Sequence, residues 1–239
     1  MKNIFITGIS RGLGKASCYQ LFKDGYNIYG TYNTTNEKEI SQIKKDISGI
    51  TLFKVDLSKR KDTLNLLKKI KNIKFFALVN NAGEYAPEDF KNYDMSSWDR
   101  VIELNVSSIV LLSTGLYENM EQGGAIINMA SIYGAFYGGN SAVSYSASKA
   151  TVVTLTKTLA NIYGGKNVRA VAIAPGMIET DMSKKNGQVV LDSIANKTPL
   201  KRIGRPQEIA NIVSFLISDK ASYINGTTII ADGGYTCSD

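Results

Sequence analysis

The strongest constraint on this chain is the order in which two apolar periodicities alternate along it. Apolar runs with strand character fall at 3–7, 26–31, 51–55, 75–79, 124–129, 168–173 and 227–231. Between them, apolar residues at helical spacing predict helices near 13–23, 37–47, 60–71, 97–119, 144–163 and 206–217. Gly25, after "LFKD", reads as the stop of the first helix. Strands joined through helices pair in parallel, by right-handed crossovers. The expected fold class is therefore α/β, a seven-stranded, doubly wound parallel sheet with helices on both faces. At 239 residues and 44% hydrophobic, the chain can enclose one large core. No Pro/Ser-rich linker or internal repeat divides it, so a single domain over 1–239 is expected. Only 176–204, after the sixth strand, breaks the rhythm. An insertion at the carboxyl end of such a strand is a natural substrate loop.

Composition narrows the chemistry. There is no histidine, which excludes Ser-His-Asp and Cys-His catalysis and every His-ligated metal site. Any general acid must be Tyr, Lys, Asp, Glu or Cys. Cys18 and Cys237 fit no metal spacing, so no metal is expected, and a reduced, cytoplasmic protein is the economical reading. No apolar run reaches the length of a membrane span, and no secretory leader is expected. The net charge of +7 comes largely from lysines in short runs such as Lys44-Lys45 and Lys68-Lys69-Ile70-Lys71. These share helical segments with apolar positions such as Ile40, Ile43 and Ile47, so they read as solvated helix faces and not as a nucleic-acid surface.

The first strand runs into "TGISRGLG" at 7–14, where Gly8, Gly12 and Gly14 bare the turn into a helix. Such a turn lets a phosphate reach backbone N–H groups at the positive end of the helix dipole. The spacing matches neither G-x-G-x-x-G nor Walker A, and alone it is a weak signal. It is followed in order by "NNAG" at 80–83, "SYSASK" at 144–149 and "APGMIET" at 174–180. Together these motifs resemble the short-chain dehydrogenase/reductase family over essentially the whole chain, most closely its 3-oxoacyl-[acyl-carrier-protein] reductases. The resemblance implies a Rossmann fold, a nicotinamide cofactor and a homotetramer.

Tyr145 and Lys149 are four residues apart on a predicted helix, hence on one face. Bringing a phenol from about 10 to about 7 needs roughly 4 kcal/mol of preference for the phenolate. One ammonium at about 4 Å, at an effective dielectric near 20, supplies an interaction of that order. The pair is thus expected to activate itself without histidine. The resemblance implies that Tyr145 delivers a proton to the substrate oxygen while Lys149 also bonds the cofactor ribose. It assigns Ser131, in "NMASIYG", to the substrate carbonyl, with Ser141 the weaker candidate. It assigns Asn105, in "IELNVSS", to a water linking the lysine to solvent; from its position alone, Asn105 could equally cap or kink its helix.

On the cofactor side the resemblance implies contacts from Gly8, Ser10, Arg11, Gly12, Leu13 and Gly14, with pyrophosphate too close to those glycines for a Cβ. It adds Asn33 after the second strand, Asp56 and Leu57 after the third, and Asn81, Ala82 and Gly83 after the fourth. Pro175, Gly176, Ile178 and Thr180 would meet the nicotinamide. The second strand ends Thr31-Tyr32-Asn33 with no carboxylate to bond a ribose 2′-hydroxyl, and Arg11 matches the basic residue that meets a 2′-phosphate. NADPH is therefore expected, with NADH the second choice. The substrate is expected to be a 3-oxoacyl thioester, with acyl carrier protein a candidate partner. The alternative is a small cyclic, sugar or secondary-metabolite ketone. Lys166 resembles one basic docking position of the carrier-protein reductases. The other docking region reads Glu121-Gln122-Gly123-Gly124, Glu84 adds an unusual negative charge, and Tyr133, Phe136 and Tyr137 add aromatic bulk after Ser131.

Overall fold

The computed structural model describes residues 1–85, 87–139 and 142–237. Its strands are β1 (Asn3–Ile6), β2 (Asn27–Tyr32), β3 (Thr51–Lys54), β4 (Phe75–Asn80), β5 (Met120–Met129), β6 (Arg169–Pro175) and β7 (Thr228–Ala231). All pairs are parallel, in the order β3-β2-β1-β4-β5-β6-β7. The chain reverses its winding between β1 and β4, and the crevice at such a switch point opens at the carboxyl ends of the strands. β4, "FFALVN", is buried along its whole length, as a central parallel strand covered on both faces should be.

The first helices are α1 (Gly12–Lys23), α2 (Glu37–Asp46) and α3 (Arg60–Ile70). They are followed by α4 (Met95–Ile102), α5 (Ser108–Gly115), the short α6 (Ile132–Ala135) and α7 (Val143–Gly164). The last are α8 (Asp181–Lys184), α9 (Gln188–Lys197) and α10 (Pro206–Ile217). The two-residue period of the strands sorts them into layers. Ile4 and Ile6 of β1 join Cys18 and Leu21 of α1 and Val213 and Leu216 of α10 in one core. Phe5, between them, faces the opposite core with Leu66, Leu112, Leu159 and Tyr163 of α3, α5 and α7. Each fully buried Leu, Ile or Phe contributes about 1.5–3 kcal/mol, so these two layers hold the sheet rigid beneath its carboxyl rim. Lys44, Lys45, Lys68 and Lys69 lie exposed on the outer helix faces, which is where the excess charge was expected. No helix of the described residues is long and apolar enough to cross a membrane.

Three sequence-based expectations need refinement. The helix foreseen over 97–119 is broken: α4 passes through a π-helical turn, Glu103–Ser107, into α5. β5 begins at Met120, earlier than the apolar run suggests, because it reaches Phe75 across an irregularity in its pairing with β4. The 176–204 segment contains α8 and α9 and is pinned at its base, where Ile178 bridges Gly204 and Gly204 N–H bonds the Met177 carbonyl at 2.9 Å.

Candidate active site

The turn after β1 is built by its neighbours as much as for a ligand. Gly8 has φ +71°, and a Cβ there would lie 3.1 Å from Ala82 Cα. At Gly14 a Cβ would lie 2.1 Å from the Gly8 carbonyl oxygen. The expectation that cofactor phosphate alone demands bare positions is therefore corrected at these two glycines, where the protein's own backbone already excludes a side chain. Gly12 differs: it has φ +54° and faces Thr180, whose Cγ2 would be 3.5 Å from an added Cβ. It thus fronts the gap between the glycine turn and the segment after β6. Arg11 caps α1 with extended backbone and no side-chain hydrogen bond, and no acidic residue stands in the first turn. An uncapped twelve-residue helix without an acid at its N-terminus fits a phosphate.

Around this turn the other expected cofactor contacts gather at the strand ends. Asn81 Nδ2 donates to the carbonyls of Thr7 (2.9 Å) and Gly8 (3.1 Å), and the Thr7 hydroxyl accepts from the N–H groups of Asn81 and Ala82. These bonds brace β1 against β4. Ser10 accepts from Thr35 Oγ1, joining the glycine turn to the loop that carries exposed Asn33. Exposed Arg11 is adjacent to this junction. Asp56 ends β3 in a turn, accepting from the Ser58 hydroxyl at 2.6 Å and its N–H at 3.1 Å. Burial works to raise the Asp56 carboxyl, but Ser58 together with Lys59 and Arg100 holds it below the ordinary range. Leu57 and Ile178 are buried in the two cores, so their side chains face away from the cleft. Leu13 is only half-buried and packs on the first core. Pro175 closes β6, and Gly176 N–H bonds the Ala231 carbonyl at 3.0 Å.

The residues expected to do chemistry converge beside this groove. Tyr145 and Lys149 lie on α7, one turn apart, with Lys149 Nζ 5.5 Å from the centre of the Tyr145 ring. Ser131, at the end of β5, hydrogen-bonds the Tyr145 phenol. A Cβ on Gly83 would lie 3.3 Å from Asn105 Oδ1 and 3.4 Å from Lys149 Nζ, so the segment after β4 passes directly over both. Asn105 sits in the π-helical turn. Its amide pairs with the backbone of Glu84, accepting from the N–H at 2.9 Å and donating to the carbonyl at 3.0 Å. A π turn inserts one residue into a helix, and here it aims a buried asparagine at the loop, which a regular helix would not do. Ser141 lies outside the described residues.

The electrostatics overturn one expectation. Burial pushes the Tyr145 phenol up, with the Ser131 bond only partly opposing it. The Lys149 ammonium does not lower it: Nζ donates to the Met129 carbonyl at 2.6 Å, and burial pushes Lys149 down to about 8. With Nζ bonded to the Met129 carbonyl, burial and not the ammonium sets the direction in which the Tyr145 phenol moves. In the ligand-free protein the Tyr145 phenol is thus raised above its ordinary value and not lowered.

Two further expectations change. Lys166 lies near the amino end of β6, on the side of the sheet opposite to Ser131 and Tyr145. It is engaged by Glu118 Oε2 at 2.7 Å and the Tyr117 carbonyl at 3.0 Å. It offers no free docking cation beside this chain's own cleft. Glu84 is half-buried and neutralised by Arg100 at 2.9 Å. Of the aromatic residues after Ser131, Tyr133 and Tyr137 pack towards Tyr145, whereas Phe136 lies exposed. Tyr133 packs edge-on to Tyr137 and Tyr145, with ring centres 5.2 and 6.4 Å apart. Tyr85 packs edge-on to Tyr145 at 5.3 Å, and Tyr235 hydrogen-bonds Tyr137. Tyr85, Thr35 and Tyr235 were not anticipated. Tyr85 follows the "NNAG" motif at a strand end and could have been found there, whereas Tyr235 reaches the cleft only through the last strand.

Known proteins resemble this chain over nearly its whole length. The sequence profile of the family described as Enoyl-(Acyl carrier protein) reductase matches residues 8–236. The chain is 34% identical over 242 residues to the 3-oxoacyl-[acyl-carrier-protein] reductase FabG of Staphylococcus epidermidis, covering 98% of each. Among solved structures, BdcA in complex with NADPH superposes with a TM-score of 0.89 at 26% identity, over 97% of this chain and 93% of that one. A 4-hydroxyisoleucine dehydrogenase complexed with NADH gives 0.92 at 26% identity over 100% of both chains. The chain belongs to the short-chain dehydrogenase/reductase family and is an NAD(P)-dependent oxidoreductase acting on CH-OH and C=O groups.

Proposed function

We propose that the protein uses NADPH to reduce a ketone to a secondary alcohol, and that its substrate is a 3-oxoacyl thioester. The observation that carries the reading is the convergence of Ser131, Tyr145 and Lys149 beside the glycine turn. A nicotinamide cofactor held between the glycine turn and the segment after β6 would supply the hydride for the carbonyl carbon. Ser131 orients the carbonyl oxygen by a hydrogen bond, and Tyr145 gives that oxygen its proton, so the alkoxide never has to form free. Burial raises the Tyr145 phenol, which keeps on it the proton that reduction consumes. Lys149, near neutrality at about 8, is placed to return a proton to Tyr145, and Asn105 fixes the loop that covers it. Arg11, next to Ser10 in the glycine turn, favours a 2′-phosphate over a bare ribose, and Asn33 lies on the loop that Thr35 joins to Ser10.

The thioester assignment draws on the relatedness to FabG. A second reading, a compact cyclic ketone, draws on the rings of Tyr85, Tyr133 and Tyr137 around Tyr145 and on the engagement of Lys166 by Glu118. A homotetramer fits the exposure of Ile230 on edge strand β7 and of Tyr223 just before it; light scattering of the purified protein tests it. NADPH oxidation with a 3-oxoacyl group on carrier protein, the same group on a short thioester, and a cyclic ketone separates the substrate readings. Tyr145→Phe should abolish turnover and leave NADPH affinity within a few-fold. Turnover near wild type in that variant would refute the assigned proton donor.

A further inference from the structure

Helix α7 carries Tyr145 as its third residue, in the first turn, where backbone N–H groups have no intrahelical partner. The residue that should cap this turn is Ala142, which has no side-chain acceptor. An acceptor arrives instead from a distant part of the chain. Glu88, in the loop after β4, accepts from the Ser144 N–H at 3.1 Å through one carboxylate oxygen and from the Ser144 hydroxyl through the other. The Tyr93 hydroxyl also donates to Glu88, at 3.1 Å. The same loop carries Tyr85, whose ring packs edge-on against Tyr145. We propose that Glu88 is a positioning residue for Tyr145: it supplies from a distant loop of the same chain the cap that α7 lacks, and so fixes the turn that aims the phenol at Ser131.

The geometry separates the two halves of the site. Lys149 lies one turn further on, is buried, and is anchored independently by the Met129 carbonyl. Tyr145 has no such anchor in the body of α7. Its place depends on the first turn, on the Ser131 bond and on the rings of Tyr85 and Tyr133. Both oxygens of a carboxylate are engaged by one serine, so a charge-assisted pair holds the turn and the loop in one register. Loss of Glu88 therefore uncouples the phenol from the ammonium while leaving the cofactor groove in place.

The inference rests on Tyr145 as the proton donor, and the test keeps the two apart. Three quantities are measured on Glu88→Ala and Glu88→Gln: kcat for ketone reduction, NADPH affinity by fluorescence, and amide hydrogen exchange across the first turn of α7. In Glu88→Ala the Ser146 amide, bonded to the Ala142 carbonyl at 2.9 Å, should exchange about fivefold to tenfold faster, the usual consequence of a lost cap. kcat should fall roughly 10- to 100-fold, as for a misplaced reacting group, with NADPH affinity unchanged within about twofold. Glutamine can accept from the Ser144 N–H and donate to its hydroxyl, so Glu88→Gln should recover both exchange and kcat to within about threefold. Unchanged exchange in Glu88→Ala, wild-type kcat despite faster exchange, or no rescue by glutamine would each overturn the proposal. If wild-type protein reduces no ketone, the proton-donor reading falls, and the exchange measurement still decides whether Glu88 caps the helix. If Glu88→Ala does not fold, Ser144→Ala, which keeps the backbone bond, carries the test. A severalfold loss of kcat with intact NADPH binding supports the proposal, and wild-type kcat overturns it.

Discussion

Lys149 is expected to cost the ligand-free protein stability, and Lys149→Met should reveal how much. Burial displaces this amine from 10.5 to about 8. At about 1.4 kcal/mol per pKa unit, carrying the ammonium at pH 7 costs roughly 3 kcal/mol relative to the unfolded chain. Methionine is of similar length and removes that cost, while forfeiting the bond to the Met129 carbonyl, worth about 1 kcal/mol. The variant should therefore be about 2 kcal/mol more stable at pH 7, or roughly 4–8 °C in Tm for a chain of this size. The pH dependence carries the proof. Between about 8 and 10.5 the unfolded chain binds a proton at this lysine that the folded one has released, so wild-type stability rises with pH across that window. The advantage of Lys149→Met should be full below about pH 8 and should shrink towards pH 10.5. Urea unfolding of both proteins without cofactor, at a series of pH values from 6.5 to about 10, measures this directly. A difference that stays flat across the series, or a variant less stable than wild type at pH 7, would refute the reasoning. Activity should be lost regardless, a trade of stability for function common at active sites.

Gly14→Ala should destabilise the protein by several kcal/mol even without cofactor, because its Cβ would lie 2.1 Å from the Gly8 carbonyl oxygen; a melting temperature within about 2 °C of wild type would contradict the assigned self-packing. Arg11→Ala should weaken NADPH by roughly 1–3 kcal/mol through loss of a charge-assisted bond, leaving NADH almost unaffected, as the ratio of kcat/KM values would show.

The fold was legible in the sequence because its determinants are local and repetitive. Continuous apolar runs such as "FFALVN" and helices with an apolar stripe leave few arrangements other than a parallel sheet covered on both faces. Tyr145 and Lys149 were legible for the same reason, since four residues on a helix fix a shared face whatever lies around it. Their electrostatics were not. Whether an ammonium tunes a phenol depends on what else each group touches, and the Met129 carbonyl that takes up Lys149 Nζ comes from β5, 20 residues away. The placement of Asn105 likewise turned on a π-helical turn, which no propensity announces. Lys166 changed meaning once the sheet placed it at the amino ends of the strands, away from the cleft its motif suggested. The clasp of Glu88 on Ser144 spans 56 residues. Periodicity along the chain determined which elements form and in what order, because that depends on each segment's own apolar faces. Burial, pairing and charge state were decided only when distant segments met, because each depends on the partner that excludes water from the group.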